Sequence, residues 1–201
     1  SVEPGLETVC HIDKYYSNEF TAEHGNQAAS VIANTIRDLS GVDMVFMQSC
    51  YVANDIYEGD YSAKDLAYIA KNDGGWPGLM EITGDQIYSL VEETLKMKGN
   101  RGAVCNDSTL YVSSGFVMDI SRTEDGYKLN ALTIDGEDLD RSKTYSFLIY
   151  GDRDWYMAEV MDKIGVSEVD NSGLKADGYI KQCLVDMGRQ LSEPSDYIII
   201  K

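Results

Sequence analysis

The sequence has little positive charge, little histidine and little proline. Its 201 residues contain 17 Lys and Arg against 34 Asp and Glu, which gives a formal net charge of −17, together with 2 His and 3 Pro. Proteins that bind nucleic acid without sequence preference need Lys and Arg to replace counterions, and anionic membrane surfaces attract polybasic segments. The charge balance therefore argues against nucleic acid and against an anionic membrane surface as partners.

Long apolar runs are also missing. A membrane-spanning helix needs about eighteen or more consecutive apolar residues, and the sequence contains no such run, so we expect no membrane insertion. We also find no segment with the pattern of a signal peptide. The chain begins with Ser1 rather than Met, and we expect it to be a piece of a longer protein.

The four cysteines lie far apart at Cys10, Cys50, Cys105 and Cys183. No C-x-x-C pair occurs, so the spacing typical of zinc fingers and redox dyads is absent. Two long-range disulfides, in any of three pairings, are one interpretation. Small buried thiols are the favoured one, because cysteine outside disulfides is among the most buried residue types.

Sequence motifs of common catalytic centres are absent as well. The chain has no H-E-x-x-H, no G-x-S-x-G, no Walker loop and no G-x-G-x-x-G. Two histidines cannot supply a typical binuclear metal centre, and we interpret His24 as a loop residue just before a helix. The acidic run 135–140 lacks the spacing of a calcium-binding loop and is typical of a hairpin turn.

The pattern of apolar residues predicts an α+β fold, with a mixed sheet and helices packed on it. Strands and helices follow one another without the strict alternation of a doubly wound parallel sheet. We expect an irregular lead-in or short strand over residues 1–22, and a single domain over 23–201. Predicted helices cover 26–39, 62–70, 84–95, a segment from 154 and 174–189; predicted strands cover 44–47, 79–83, 110–120 with a break near 115, 127–134, 144–150 and 197–200.

Local signals place the ends of several of these elements. Apolar residues of the first helix recur on one side, at Ala28, Ala29, Ile32, Ile36 and Leu39. Gly41 is the expected end of that helix. Ser62 is the predicted cap of the second helix and Thr83 that of the third, where Gln86 completes a capping box. The segment 71–78 is the clearest predicted loop.

Six short motifs occur in an order that resembles a known family. They are Gly25-Asn26-Gln27, the run 59–66, Glu81-Ile82-Thr83-Gly84, Val112-Ser113-Ser114-Gly115, the run 136–145 and Asp177-Gly178-Tyr179-Ile180. Over residues 23–190 this order is similar to that of the C-terminal domain of the 5'-nucleotidases. The resemblance implies a nucleoside or nucleotide as ligand and an extracellular, periplasmic or cell-surface location. It also implies an N-terminal metallophosphoesterase domain, outside this chain, that carries the divalent metals and the catalytic residues.

The resemblance further indicates which positions would form the ligand pocket. They come from the loop 48–54, the loop 71–77, a strand end and the segment 151–156: Gln48, Tyr51, Ala53, Asn72, Trp76, Gly115, Asp152, Arg153, Trp155 and Tyr156. Ala53 stands where the family has an arginine, and a methyl group cannot neutralise a phosphate. Asn72 stands near the position of a stacking phenylalanine. Trp76, Trp155 and Tyr156 are candidate stacking residues, although packing at a helix start is an alternative for the last two.

Two functions follow from these observations. The chain is expected to be the substrate-binding part of a 5'-nucleotidase-type phosphohydrolase, with no cofactor of its own and no activity in isolation. The alternative is a degenerate, non-catalytic domain that binds another small molecule or a protein at the cell surface. An unrelated thiol enzyme has no support, because no cysteine lies in a motif that pairs it with a base.

Overall fold

The computed structural model of the protein describes residues 6–70, 76–96, 110–151, 155–166, 169, 179–187 and 191–201. The strands in these ranges are β1 (Thr8–Ile12), β2 (Phe20–Thr21), β3 (Gly25–Asn26), β4 (Met44–Gln48), β5 (Gly59–Ser62), β6 (Trp76–Thr83), β7 (Tyr111–Ser114), β8 (Val117–Thr123), β9 (Gly126–Ile134), β10 (Glu137–Asp138), β11 (Thr144–Gly151) and β12 (Ile198–Ile200). The helices are α1 (Gln27–Ser40), α2 (Ala63–Ile69), α3 (Gly84–Leu95), α4 (Trp155–Lys163) and α5 (Tyr179–Met187), with a 3₁₀ turn at Ser49–Tyr51.

Two mixed sheets carry most of these strands. The central sheet has the order β6-β11-β4-β7, in which β11 runs parallel to β4 and antiparallel to β6, while β7 runs antiparallel to β4. The second sheet has the order β10-β9-β8-β12, and β12 runs parallel to β8. Helices α1 and α3 contact both strands and core, so the predicted α+β class with a mixed sheet is confirmed.

Helix α1 matches its sequence signals at both ends. The Asn26 side chain accepts a hydrogen bond from the backbone N–H of Ala29 at 2.8 Å, and Gly41 ends the helix in the left-handed conformation, with φ 69°. The predicted apolar side is buried except at Leu39, which is 40% exposed. The core therefore ends before the end of α1, where Asp38, Leu39 and Ser40 are exposed.

The caps of the next two helices are reciprocal capping boxes. Ser62 accepts from the backbone N–H of Asp65 and donates, through its own backbone N–H, to the Asp65 carboxylate at 2.8 Å. Thr83 and Gln86 make the same pair of bonds at the start of α3. Each box satisfies two backbone groups that a helix start leaves open, and the sequence prediction is confirmed at both.

Strand β6 begins earlier than its apolar pattern indicates. The sequence predicts a loop over 71–78, but Trp76, Pro77 and Gly78 pair with Gly151, Tyr150 and Ile149 of β11. β6 lies at an end of the described sheet, where a proline without an N–H is tolerated in a strand. Residues 71–75 of the predicted loop lie outside the described residues.

The predicted lead-in contains two described strands. β1 pairs with β5 in antiparallel register, with His11 opposite Asp60, and β2 pairs with β3. The prediction of a domain boundary at residue 23 is not tested by these pairings.

The chain end crosses the outside of α1 and joins the second sheet. Ser30 and Ser195 exchange two hydrogen bonds, and the hydroxyl of buried Tyr197 accepts from the backbone N–H of Asn26 at 2.8 Å. β12 then adds to β8. None of the helices in the described ranges is long and apolar enough to cross a bilayer.

Gly84, the first residue of α3, provides a test of this packing. A Cβ atom there would lie 2.2 Å from the carbonyl oxygen of Asp140 and 2.7 Å from Cα of Arg141, and backbone atoms cannot easily move away. We therefore expect Gly84→Ala to lower the free energy of unfolding by about 2–3 kcal/mol, measured by urea denaturation. Ser89→Ala on the same helix is the control, with an expected change within about 0.5 kcal/mol. Equal stability of both variants would contradict the close approach.

Candidate ligand-binding site

The parallel strands β4 and β11 bring their carboxyl ends to the same edge of the central sheet. Met47 pairs with Tyr150, which places Gln48 and Gly151, the last residues of the two strands, side by side. The antiparallel neighbours begin at this edge: Trp76 pairs with Gly151, and Tyr111 pairs with Gln48. We call this the β4–β11 edge. It joins segments that are far apart in the sequence.

At the β4–β11 edge, the side chains of neighbouring strands lie close to Gly151. A Cβ atom on Gly151 would lie 3.3 Å from the hydroxyl oxygen of Tyr111 and 3.8 Å from Cδ of Gln48. The Oε1 atom of Gln48 is buried and has no hydrogen-bond partner among the described residues. A buried amide oxygen is expected to be hydrogen-bonded, so Gln48 offers an acceptor at this position.

Aromatic rings form the wall behind this edge. The Tyr51 ring meets Tyr150 edge to face, with centroids 5.1 Å apart, and Tyr150 stacks on Tyr179 at 5.7 Å. Tyr51 and Tyr150 are buried, and burial raises the pKa of Tyr179. Tyr51 therefore packs in the core, although the sequence placed it among the ligand-binding residues.

Ala53 lies two residues after Tyr51. Its backbone N–H donates to the carbonyl of Ile69 at 2.9 Å, at the end of α2, and its side chain is half-buried. The chain after α2 leads toward Asn72, which is outside the described residues. The structure thus sets Ala53 next to the end of α2.

The remaining predicted residues on this side follow β11. Trp155 and Tyr156 are the first residues of α4, four and five positions after Gly151. Asp152 and Arg153 lie outside the described residues. Trp76 opens β6 opposite Gly151. The backbone therefore brings Gln48, Trp76 and the start of the 151–156 segment together.

Gly115 is not brought to this edge. It follows β7, whose last residue Ser114 pairs with Val45 near the start of β4, so Gly115 lies at the opposite end of the sheet. Its φ is +90°, and a Cβ atom would lie 2.4 Å from the carbonyl oxygen of Asp43 and 3.0 Å from Nε of Arg37. This glycine is required by a tight turn that packs against the turn between α1 and β4.

Gly115 lines a cleft of about 420 Å³ at that opposite end. Four carboxylates line the cleft, those of Asp38, Asp135, Glu193 and Asp196. Arg37 is also there, but its Nε donates to the carbonyl of Asp43 at 2.7 Å. An excess of negative charge disfavours a phosphate in this cleft, so we place the candidate site at the β4–β11 edge.

The described residues do not fit a divalent metal centre. No group of three or more His, Cys, Asp and Glu side chains is arranged within them to hold a metal ion. Cys10 and Cys183 are buried thiols that form no disulfide, as favoured from the sequence, whereas the Cys50 thiol is exposed; Cys105 lies outside the described residues. We assign no metal ligand within the described part of the chain.

The fold and the β4–β11 edge define an α+β domain whose candidate site offers polar and aromatic groups. A family model, described as the C-terminal domain of 5'-nucleotidase, matches residues 8–158. The chain belongs to the family of 5'-nucleotidase C-terminal domains. The suspected resemblance is therefore confirmed.

Solved structures share the fold at low sequence identity. A 5'-nucleotidase precursor from Thermus thermophilus is 11% identical, with a TM-score of 0.70 over 96% of this chain and 39% of its own. An NAD nucleotidase from Haemophilus influenzae is 15% identical, with a TM-score of 0.71 over 98% and 39%. The sulfate thiohydrolase SoxB of Thermus thermophilus is 13% identical, with a TM-score of 0.64 over 96% and 35%.

The chain thus spans about two fifths of the length of these proteins. None of the curated proteins matches it in sequence. At these identities the likeness shows the fold alone, and the substrates in the three names differ.

Both histidines of the chain bind carboxylates across the fold. Nδ1 of His11 on β1 lies 2.6 Å from Asp60 of β5, and Nδ1 of His24 lies 2.9 Å from Asp196 of the chain end. These hydrogen bonds raise the pKa of both imidazoles above the ordinary value of 6.5. His24, predicted as a loop residue before a helix, thus also holds the chain end.

The two pairs predict how stability depends on pH. A raised folded-state pKa stabilises the protein fully below pH 6.5, and this contribution is lost as pH rises through the folded-state values. We expect the melting temperature to fall as pH rises above about 6.5, measured by calorimetry in matched ionic strength. The double variant H11Q/H24Q should show a flatter profile in this range. Identical slopes for the two proteins would contradict the assignment.

Proposed function

We propose that this domain binds the nucleoside part of a nucleotide substrate at the β4–β11 edge and positions it for a phosphohydrolase domain elsewhere in a longer protein. The observation that carries the proposal is the meeting of Gln48, Trp76 and the segment after Gly151 from three strands. Gln48 would accept a hydrogen bond from a base or ribose donor. Trp76, Trp155 or Tyr156 would stack on the base.

The charge distribution supports binding through the nucleoside rather than the phosphate. Gln48, Tyr51 and Ala53 are uncharged, and the net charge of −17 repels a free phosphate. A phosphate group would therefore be held by groups outside this edge. In the proposal, an N-terminal metallophosphoesterase domain supplies them together with its divalent metals.

Several further expectations belong to this proposal. The isolated chain requires no cofactor for binding and is inactive on nucleotides, because the reacting groups belong to the other domain. The longer protein acts outside the cytoplasm, in the periplasm or at the cell surface. Nucleic acid is not a partner, since the acidic chain lacks the cations that replace counterions.

The alternative is a degenerate domain that binds another small molecule or a protein. Ala53 favours it, because the family position that carries an arginine is here a methyl group. The sulfate thiohydrolase also supports it, since that protein has the same fold and a different named substrate. The two functions differ in whether a nucleoside binds at the β4–β11 edge.

Tryptophan fluorescence is a direct probe of this edge. The chain has 2 Trp: Trp76 begins β6 and pairs with Gly151 at the end of β11, and Trp155 begins α4, four residues after Gly151. We expect adenosine to change the emission with a millimolar or lower Kd, and Trp76→Phe and Trp155→Phe to show which indole reports it. Gln48→Leu should weaken binding about fivefold, since a neutral hydrogen bond contributes about 1 kcal/mol. No response to millimolar adenosine or AMP would favour the alternative.

Ala53 allows a test of the missing cation. We expect Ala53→Arg to tighten AMP binding about fivefold relative to adenosine, because a partly exposed charge pair contributes up to about 1 kcal/mol. Isothermal titration calorimetry with both ligands measures the ratio. Thr123→Arg at the end of β8, which makes the same change of charge on the second sheet, is the control. An equal gain in both variants would show a general charge effect instead of a local one.

A further inference from the structure

An exposed pair of tyrosines lies beside the β1–β5 strands. The rings of Tyr15 and Tyr57 are 5.4 Å apart between centroids and are tilted by 48°. The two residues are 52% and 60% exposed. Because the rings contact each other and remain open to solvent, they present aromatic surface that the core does not use. We call them the tyrosine pair.

One carboxylate holds the tyrosine pair in place. Both hydroxyls donate to Oδ2 of Asp55, at 3.0 Å from Tyr15 and 3.3 Å from Tyr57, while Oδ1 accepts from the backbone N–H of Asn18 at 2.7 Å. The neighbouring residues Tyr16 and Ile56 exchange two backbone hydrogen bonds, at 2.8 and 3.0 Å. The aromatic surface is therefore fixed before any partner binds, which lowers the entropic cost of binding.

The surroundings of the tyrosine pair are acidic. The negative charges of Asp13, Glu58 and Asp60 all raise the pKa of the His11 imidazole. The three carboxylates therefore lie near this end of β1 and β5. The nearby basic side chains already pair with other carboxylates: His11 binds Asp60, and Lys14 binds Glu193 at 3.4 Å. The charge at this surface is complementary to a cation.

The same protein shows how such a set of groups binds a guanidinium. Cζ of Arg141 lies 3.6 Å from the ring centroid of Tyr88, and its Nη1 lies 3.0 Å from Oδ1 of Asp85. A tyrosine face and a carboxylate thus hold one arginine between them. Within the described ranges, no Lys or Arg lies over the ring of Tyr15 or Tyr57.

We propose that the tyrosine pair and Asp55 form a docking site for an arginine side chain in a basic segment of a protein partner. Arginine suits this site better than lysine, because its planar guanidinium is weakly hydrated and stacks on aromatic faces. The acidic neighbours would attract the remaining cations of the segment. The site shares no residue with the predicted ligand pocket at the β4–β11 edge, and its proposal does not depend on the function proposed there.

A peptide titration of the whole 201-residue chain tests the proposal. The probe is a blocked, dye-labelled peptide with three arginines separated by glycines, compared with the same peptide carrying neutral citrulline. We expect the arginine peptide to bind more tightly in fluorescence anisotropy and to shift the ring resonances of Tyr15 and Tyr57 in NMR spectra. Tyr57→Leu should raise the Kd about threefold, and the double variant Y15L/Y57L about tenfold.

Two variants separate stacking from general charge. Tyr57→Phe keeps the ring and removes only the hydroxyl that bonds Asp55, so it should raise the Kd less than Tyr57→Leu does. Asp125→Asn removes a carboxylate from the exposed turn between β8 and β9 and should have an equally small effect. The exposure of Tyr57 allows its leucine variant to fold, which circular dichroism checks, and Tyr15→Leu provides a second variant.

The opposite results would overturn the proposal. Equal binding of the citrulline peptide, or unchanged affinity in both leucine variants, would exclude guanidinium stacking at the tyrosine pair. Ring shifts produced by a neutral oligosaccharide but not by the arginine peptide would assign the surface to a sugar. Self-association of the chain that Y15L/Y57L abolishes, seen by sedimentation, would assign it to a second copy.

Discussion

The parallel pairing of β4 with β11 is the constraint on which the rest of the structure depends. The two strands form the middle of the central sheet, with β6 and β7 on either side. Both strands are almost entirely buried, so their hydrogen bonds and side chains form the centre of the core. A parallel pair needs a long connection, and here that connection contains α2, β6, α3 and most of the second sheet.

The same pairing creates the candidate site. Parallel strands end at the same edge, so the segments that follow β4 and β11 meet there, while the antiparallel β6 and β7 start there. Three tyrosines lie behind this edge, where the ring of Tyr150 contacts Tyr51 on one side and Tyr179 on the other. The opposite edge collects Gly115 and an acidic cleft. Two ends of one sheet thus differ in chemistry, one polar and aromatic, the other strongly negative.

The chain end joins the parts of the fold that the central sheet does not connect. It packs along α1 through Ser195 and Tyr197, then adds β12 to the second sheet. The pair of His24 with Asp196 supports the same attachment. Both histidines of the chain therefore hold elements together. Their local surroundings in the sequence, a strand for one and a turn for the other, do not indicate these partners.

Local chemistry allowed much of the fold to be predicted. The caps at Ser62 and Thr83 and the end of α1 at Gly41 depend on neighbours within four residues, and the sequence shows those neighbours directly. The start of β6 at Trp76 could not be read in this way, because proline and glycine indicate a loop unless a partner strand is known. Leu39 shows a related limit of sequence patterns: periodicity shows which side of a helix is apolar but not how far the core extends along it.

By itself, then, the sequence determined the α+β class, the family, the acidic character and the residues from which a site could be built. Only the tertiary structure decided which of those residues meet. Gln48, Trp76 and the segment after Gly151 converge because strand pairing joins distant parts of the chain, whereas Gly115 is separated from them by the length of a strand. Tyr51 became part of the core because Tyr150 lies against it. Pairing and burial are long-range properties, and no local pattern of residues specifies them.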